Sequence, residues 1–173
     1  FPFGVSWASD SRDRAIFPTS GAIQRLFGEV TLPGSDLEYW KVGYSHRRYF
    51  PLSKTFTLAL NLDVAYGEGD GDTVVLPFFE HFYGGGFGTV RGFELYSLGP
   101  KDSRGKAYGG NLRTVANMEL LFPMPGKAFA ESVRLAAFAD AGNVFLTDAL
   151  VDRPDDCCRD GFKIDDLRYS AGV

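Results

Sequence analysis

The chain has 173 residues, 45% of them hydrophobic and 23% charged, with a net charge of −4. That is enough for one domain with a full core, and it lacks the basic patch that would track nucleic-acid phosphates, so no nucleic-acid partner is expected. No run approaches the ~20 apolar residues of a membrane-spanning helix, but this leaves open a membrane β-barrel, whose strands show only alternating hydrophobicity.

Aromatic residues (16 Phe, 8 Tyr) and 21 Gly favour strands and turns over helices. At the start, Phe1, Phe3, Val5 and Trp7 alternate with Pro2, Gly4, Ser6 and Ala8. The chain opens in what reads as mid-strand, with neither an initiating Met nor a signal peptide, and is therefore expected to be a piece of a longer protein. The charge run Asp10, Arg12, Asp13 and Arg14 reads as a solvated turn. Residues Gly21 to Leu32 form a further expected strand with blurred alternation.

In the next strand Trp40, Val42 and Tyr44 oppose Lys41, Gly43 and Ser45. The clearest periodicity runs from Thr55 to Tyr66: Phe56, Leu58, Leu60, Leu62, Val64 and Tyr66 share one face, while Ala59, Asn61, Asp63 and Ala65 share the other. Such a strand is long for a globular protein but suits a tilted bilayer span. A long loop follows, from about Gly67 to Gly110. After it, Leu112, Ala116, Met118 and Leu120 oppose Arg113, Asn117 and Glu119; Val133, Leu135, Ala137 and Ala139 oppose Arg134, Phe138 and Asp140. Leu167, Tyr169, Ala171 and Val173 mark the last strand.

The expected fold is therefore all-β, an antiparallel up-and-down meander of about seven to eight strands. A soluble lipocalin-like barrel with its apolar face inside competes with a transmembrane barrel with that face outside. Mid-strand charges at Arg113, Glu119, Arg134 and Asp140, and a last strand ending on an open edge, favour part of a larger transmembrane β-barrel. Seven strands cannot close a bacterial single-chain barrel, whose strand count is even.

Within the long loop, "FYGGGFGTVRGFELYSLGP" places Val90, Arg91, Gly92 and Phe93 after the triple glycine Gly84, Gly85 and Gly86. It is no phosphate loop, because no Lys-Ser/Thr follows and no helix is expected. "GEGDGDT" lacks the spacing of a calcium loop, and the adjacent Cys157 and Cys158 read as loop thiols or a vicinal disulfide. No metal site, cofactor or nucleophilic triad is expected.

This loop block resembles that of the BamA-type outer-membrane insertase family, whose signature is V-R-G-F/Y. "DSRDRAIFPTSG", "LPFFEHFYGGG", "NMELLFPMP" and "SVRLAAFADAGNVF" resemble family segments in the same order, so the likeness covers essentially the whole chain. The resemblance implies a non-enzymatic barrel that folds and inserts β-barrel proteins into the bacterial outer membrane. Residues 1–173 would form part of it, without the upstream POTRA domains and the last strands. The implied partners are unfolded outer-membrane proteins, outer-membrane lipid and, through the POTRA region, accessory assembly lipoproteins. It also implies that the loop folds into the lumen and that Arg91 meets Glu119 and Asp140 there. The glycines at 84–86 would act as the loop hinge, and Val90 and Phe93 would anchor the tip. Two-partner secretion and autotransporter-assembly pores share the arginine-tipped loop and stay open as alternatives, as does a soluble ligand-binding barrel.

Overall fold

The computed structural model describes residues 1–32, 34–102, 104–124, 133–147 and 161–173. Its framework is a single antiparallel sheet of seven strands: β1 (Pro2–Asp10), β2 (Gly21–Thr31), β3 (Tyr39–Pro51), β4 (Thr57–Gly69), β5 (Leu112–Pro123), β6 (Arg134–Phe145) and β7 (Arg168–Gly172). The strands pair in sequence order, each with the next, so the sheet is a meander with β1 and β7 as open edges. The connections 11–20, 52–56 and 124–133 leave from one end, and 32–38, 70–111 and 146–167 from the other.

Register decides which side chains share a face, because the pleat has a period of two. Trp7 pairs with Leu26, Leu26 with Tyr44, and Tyr44 with Val64; nearer the other edge, Leu60 pairs with Met118 and Met118 with Ala139. The apolar alternations of separate strands thus merge into one continuous face. It is uncovered: Trp7 is 54% and Met118 49% exposed. Val115, one step off that face, is only 2% exposed, and it packs against Val90 and Leu98 of the long loop. The buried apolar cluster therefore lies between the inner wall and a loop, while the broad apolar face points away from the protein. A soluble barrel needs the reverse, with its broad apolar face enclosed; an apolar exterior of this extent fits hydrocarbon.

Several boundaries differ from expectation. The strand expected over Thr55–Tyr66 is β4, which starts at Thr57 and continues to Gly69, so the long loop spans 70–111. Pairing with β3 extends it: Lys41, Trp40 and Tyr39 pair with Gly67, Glu68 and Gly69, while the β5 pairing ends at Tyr66. In β2 the blurring has a packing cause. Phe27 sits on the inner face with its ring over Gly43, where a Cβ would come within 2.1 Å of the Phe27 ring. The pair Cys157 and Cys158 lies outside the described residues.

The turn 11–20 is more organised than a solvated charge run. Arg12 donates to Asp10 through Nε and Nη2 at 2.9 and 2.6 Å. The Asp13 carboxylate accepts from the Thr19 hydroxyl at 2.7 Å and from the amides of Thr19 and Ser20 at 2.8 and 3.0 Å. Arg134 of β6 donates to the Pro18 carbonyl at 3.1 Å and lies over the Phe17 ring. Three donors on one carboxylate, the Thr19 hydroxyl first, hold Asp13 well below the ordinary 3.8. Because its folded value is depressed, its contribution is present above the unfolded value and is lost only as pH falls through the folded one. The Thr19 and Ser20 amide resonances of the full-length barrel should hold their bonded shifts as pH drops through 4 and move only below it. A midpoint at the ordinary carboxylate value would contradict this geometry.

Candidate functional site

Loop 70–111 is a folded insertion rather than a flexible link. It leaves β4, makes a short 3-10 turn at Phe78–Glu80, and is zipped to itself by isolated bridges pairing Phe82 with Gly110 and Gly84 with Leu98. Between Gly84 and Leu98 the chain reverses. Gly85 and Gly86 adopt φ of +109° and +89°, the region where a side chain is disfavoured. Gly85 donates to Thr89 Oγ1 at 2.7 Å, and Gly86 donates to the Val90 carbonyl at 3.1 Å, closing the tip. Gly84 is different. It is not among the positive-φ glycines; what it supplies is space, since a Cβ there would lie 3.0 Å from Val144 of β6. The expected hinge triplet thus divides into one close approach and two left-handed turns. Gly92 also serves its conformation, φ +83°, and not clearance: a Cβ would meet only Ser170, at 3.6 Å.

This reversal aims Arg91 at the mid-strand carboxylates of β5 and β6. Its Nη2 and Nε donate to Asp140 Oδ1 and Oδ2 at 2.6 and 2.7 Å, and its backbone amide donates to Oδ2 at 3.0 Å. Nη1 donates to Glu119 Oε1 at 2.8 Å. The guanidinium fork therefore spans two carboxylates, bidentate on Asp140 and single on Glu119. The Asp140 side chain is fully buried, and that of Arg91 is 16% exposed. Val90 has no exposed surface, and Phe93 packs beside the cluster it forms with Leu98 and Val115. Burying a side chain the size of Val90 contributes about 1.5–3 kcal/mol, so the tip is held by packing as well as by charge.

Three further contacts complete the site. The Arg91 guanidinium carbon lies 3.8 Å from the centroid of the Phe138 ring, a stacked cation–π contact. Arg47 of β3 pairs with the other oxygen of Glu119. Asn117 donates to the Thr89 carbonyl at 2.6 Å and accepts from Asn61 at 2.8 Å. Sequence reading put Phe138 on the polar face but gave it no role. Its signal was an aromatic where β6 alternation calls for a polar residue. Arg47 carried a similar signal, since the Trp40–Tyr44 alternation, continued, points it inward. Arg47–Glu119–Arg91–Asp140 is therefore a chain of alternating charge linking β3, β5, the loop and β6. It can hold a loop in place; it presents no activated nucleophile.

An open section of membrane barrel wall, apolar outside and plugged from within by an arginine-tipped loop, is the class these features define. The Omp85 superfamily domain matches residues 1–173, and the chain belongs to that superfamily. It is 48% identical over 145 residues to the outer membrane protein assembly factor BamA of Neisseria meningitidis serogroup B, covering 82% of this chain and 18% of that protein. It is 30% identical over 142 residues to the sorting and assembly machinery component 50 homolog of Mus musculus, covering 78% of this chain and 29% of that one. Among solved structures, that of BamA from Haemophilus ducreyi lacking POTRA domains 1–3 superposes with a TM-score of 0.77 at 34% identity, over 85% of this chain and 30% of the other. The chain thus spans under a third of the length of each of these relatives. Membership and the outward apolar face place it in the bacterial outer membrane.

Proposed function

We propose that this chain is the wall-and-plug section of an outer-membrane protein assembly factor, acting on unfolded outer-membrane proteins without cofactor or catalytic residue. The observation that carries the reading is the 48% identity to a protein named for that role. The geometry supplies the physical rationale. Assembly of a barrel by edge pairing needs a wall whose curvature is set, because an unpaired strand edge is a template only in a defined position. The Arg91 tip ties β5 and β6 together from inside, and Arg47 extends the tie to β3. The role of Val90, Arg91, Gly92 and Phe93, with Glu119 and Asp140, is to position the loop. Accessory lipoproteins would engage the protein outside residues 1–173. The test is complementation: cells depleted of their own assembly factor should recover folded, heat-modifiable porins when the full-length protein is supplied. Recovery of exported soluble substrate without porin folding would assign it to the secretion branch of the superfamily instead.

A further inference from the structure

A second charged cluster lies on the inner wall, away from Arg91. Lys41 of β3 points inward, with its side chain only 12% exposed, and its Nζ contacts two carboxylates: Glu29 of β2 at 3.1 Å, and Glu80 in the 3-10 turn at the stem of the long loop. Tyr39 donates its hydroxyl to the same Glu29 oxygen at 3.0 Å. The site is shaped for the lysine. Gly67 of β4 pairs with Lys41, and a Cβ on Gly67 would stand 2.9 Å from Lys41 Cγ and 3.1 Å from Leu76 Cδ2. The lysine stem thus crosses the gap that the glycine leaves, beside the buried Leu76 of the loop. His81, next to Glu80, contacts the carbonyls of Leu76 and Tyr108 through its two ring nitrogens, each at 3.2 Å, so the stem is internally braced where Glu80 projects.

We propose that Lys41 is a second positioning residue for the lumenal loop, clamping its stem to β2 and β3 through Glu80 while Arg91 clamps its tip to β5 and β6. The loop is then a crossbeam fixed at both ends rather than a tether with one attachment. A single anchor at the tip would let the stem swing. Two anchors on different strand pairs fix the separation of β3 from β6, which sets the local curvature of the wall. Any consequence for assembly rests on the function proposed above; the clamping of the stem does not.

The test uses the full-length protein in nanodiscs, with heat-modifiable migration confirming that each variant barrel is folded. The amides of Phe82 and Gly110 donate to each other's carbonyls at 2.8 and 3.0 Å and report on the stem. Lys41→Met should accelerate their hydrogen exchange about tenfold or more, the loss expected when charged hydrogen bonds are removed. The Arg91 amide, bonded to Asp140, should keep its protection. Lys41→Arg keeps a cation between Glu29 and Glu80 and should hold the stem close to the wild-type rate. An unchanged stem in Lys41→Met, equal loosening of the tip, or a stem in Lys41→Arg as loose as in Lys41→Met would each overturn the clamp. A loosened stem with normal porin assembly would leave the clamp standing and count against the functional reading.

Discussion

Replacing Arg91 by alanine in the full-length protein is expected to sharply lower the yield of folded porin and to release the loop tip from the inner wall. The magnitude follows from what is left behind. Asp140 loses both guanidinium bonds and is fully buried, so it becomes a stranded charge; Glu119 keeps Arg47. Removing one partner of a buried pair costs about 3–5 kcal/mol. The Arg91 amide still donates to Asp140, and the site is in part reached by water, which puts the expected loss near ~3 kcal/mol. Asp140→Asn should therefore be more damaging than Glu119→Gln. Arg91→Lys is the sharper test. An ammonium carries its donors on a single nitrogen, so it cannot fork onto both oxygens of Asp140 while reaching Glu119, nor lie flat on Phe138. It should lose about 1.5–3 kcal/mol, the worth of a charged hydrogen bond. Urea unfolding of the barrel in lipid, alongside porin assembly in cells at matched protein levels, reads both quantities. Wild-type assembly by the lysine variant would remove the forked geometry from the mechanism.

Leu60→Arg carries the second large effect. Leu60 lies on the outer face of β4, opposite Met118, within the stripe that includes Leu58 and Leu62. In hydrocarbon near the bilayer midplane an arginine there costs about 2–4 kcal/mol. Ser6→Arg, on the inner face of β1, gives the contrast: it points into the aqueous lumen and should cost little. Equal tolerance of both substitutions, measured by reversible unfolding in phospholipid, would mean that the apolar face does not meet lipid.

The inner and outer faces were readable because a strand side chain has only two directions, and a broad apolar exterior must repeat every second residue. β4 and β5 could be assigned from that rule alone. β2 could not, because Phe27 spends its bulk on filling the space over Gly43, and a cross-strand partner is invisible to a window on one strand. The ends of β4 escaped for the same reason: Gly67 and Gly69 have poor strand propensity, yet β3 supplies their hydrogen-bond partners.

The triad had a different status. Alternation put Glu119 and Asp140 on the polar side, but only likeness to a family connected them to Arg91, across 28 and 49 residues. Phe138, Arg47 and Asn117 joined that site only in three dimensions, and so did Lys41, Glu29 and Glu80 at the loop stem. Sequence by itself determined the period, the meander and the lipid-facing stripe, since these are set by local backbone geometry and solvent. Which charges meet, and where a long loop is fastened, depended on register and on the reversal at Gly85 and Gly86. Coulombic partners are selected by distance through space, and nothing in their spacing along the chain encodes it.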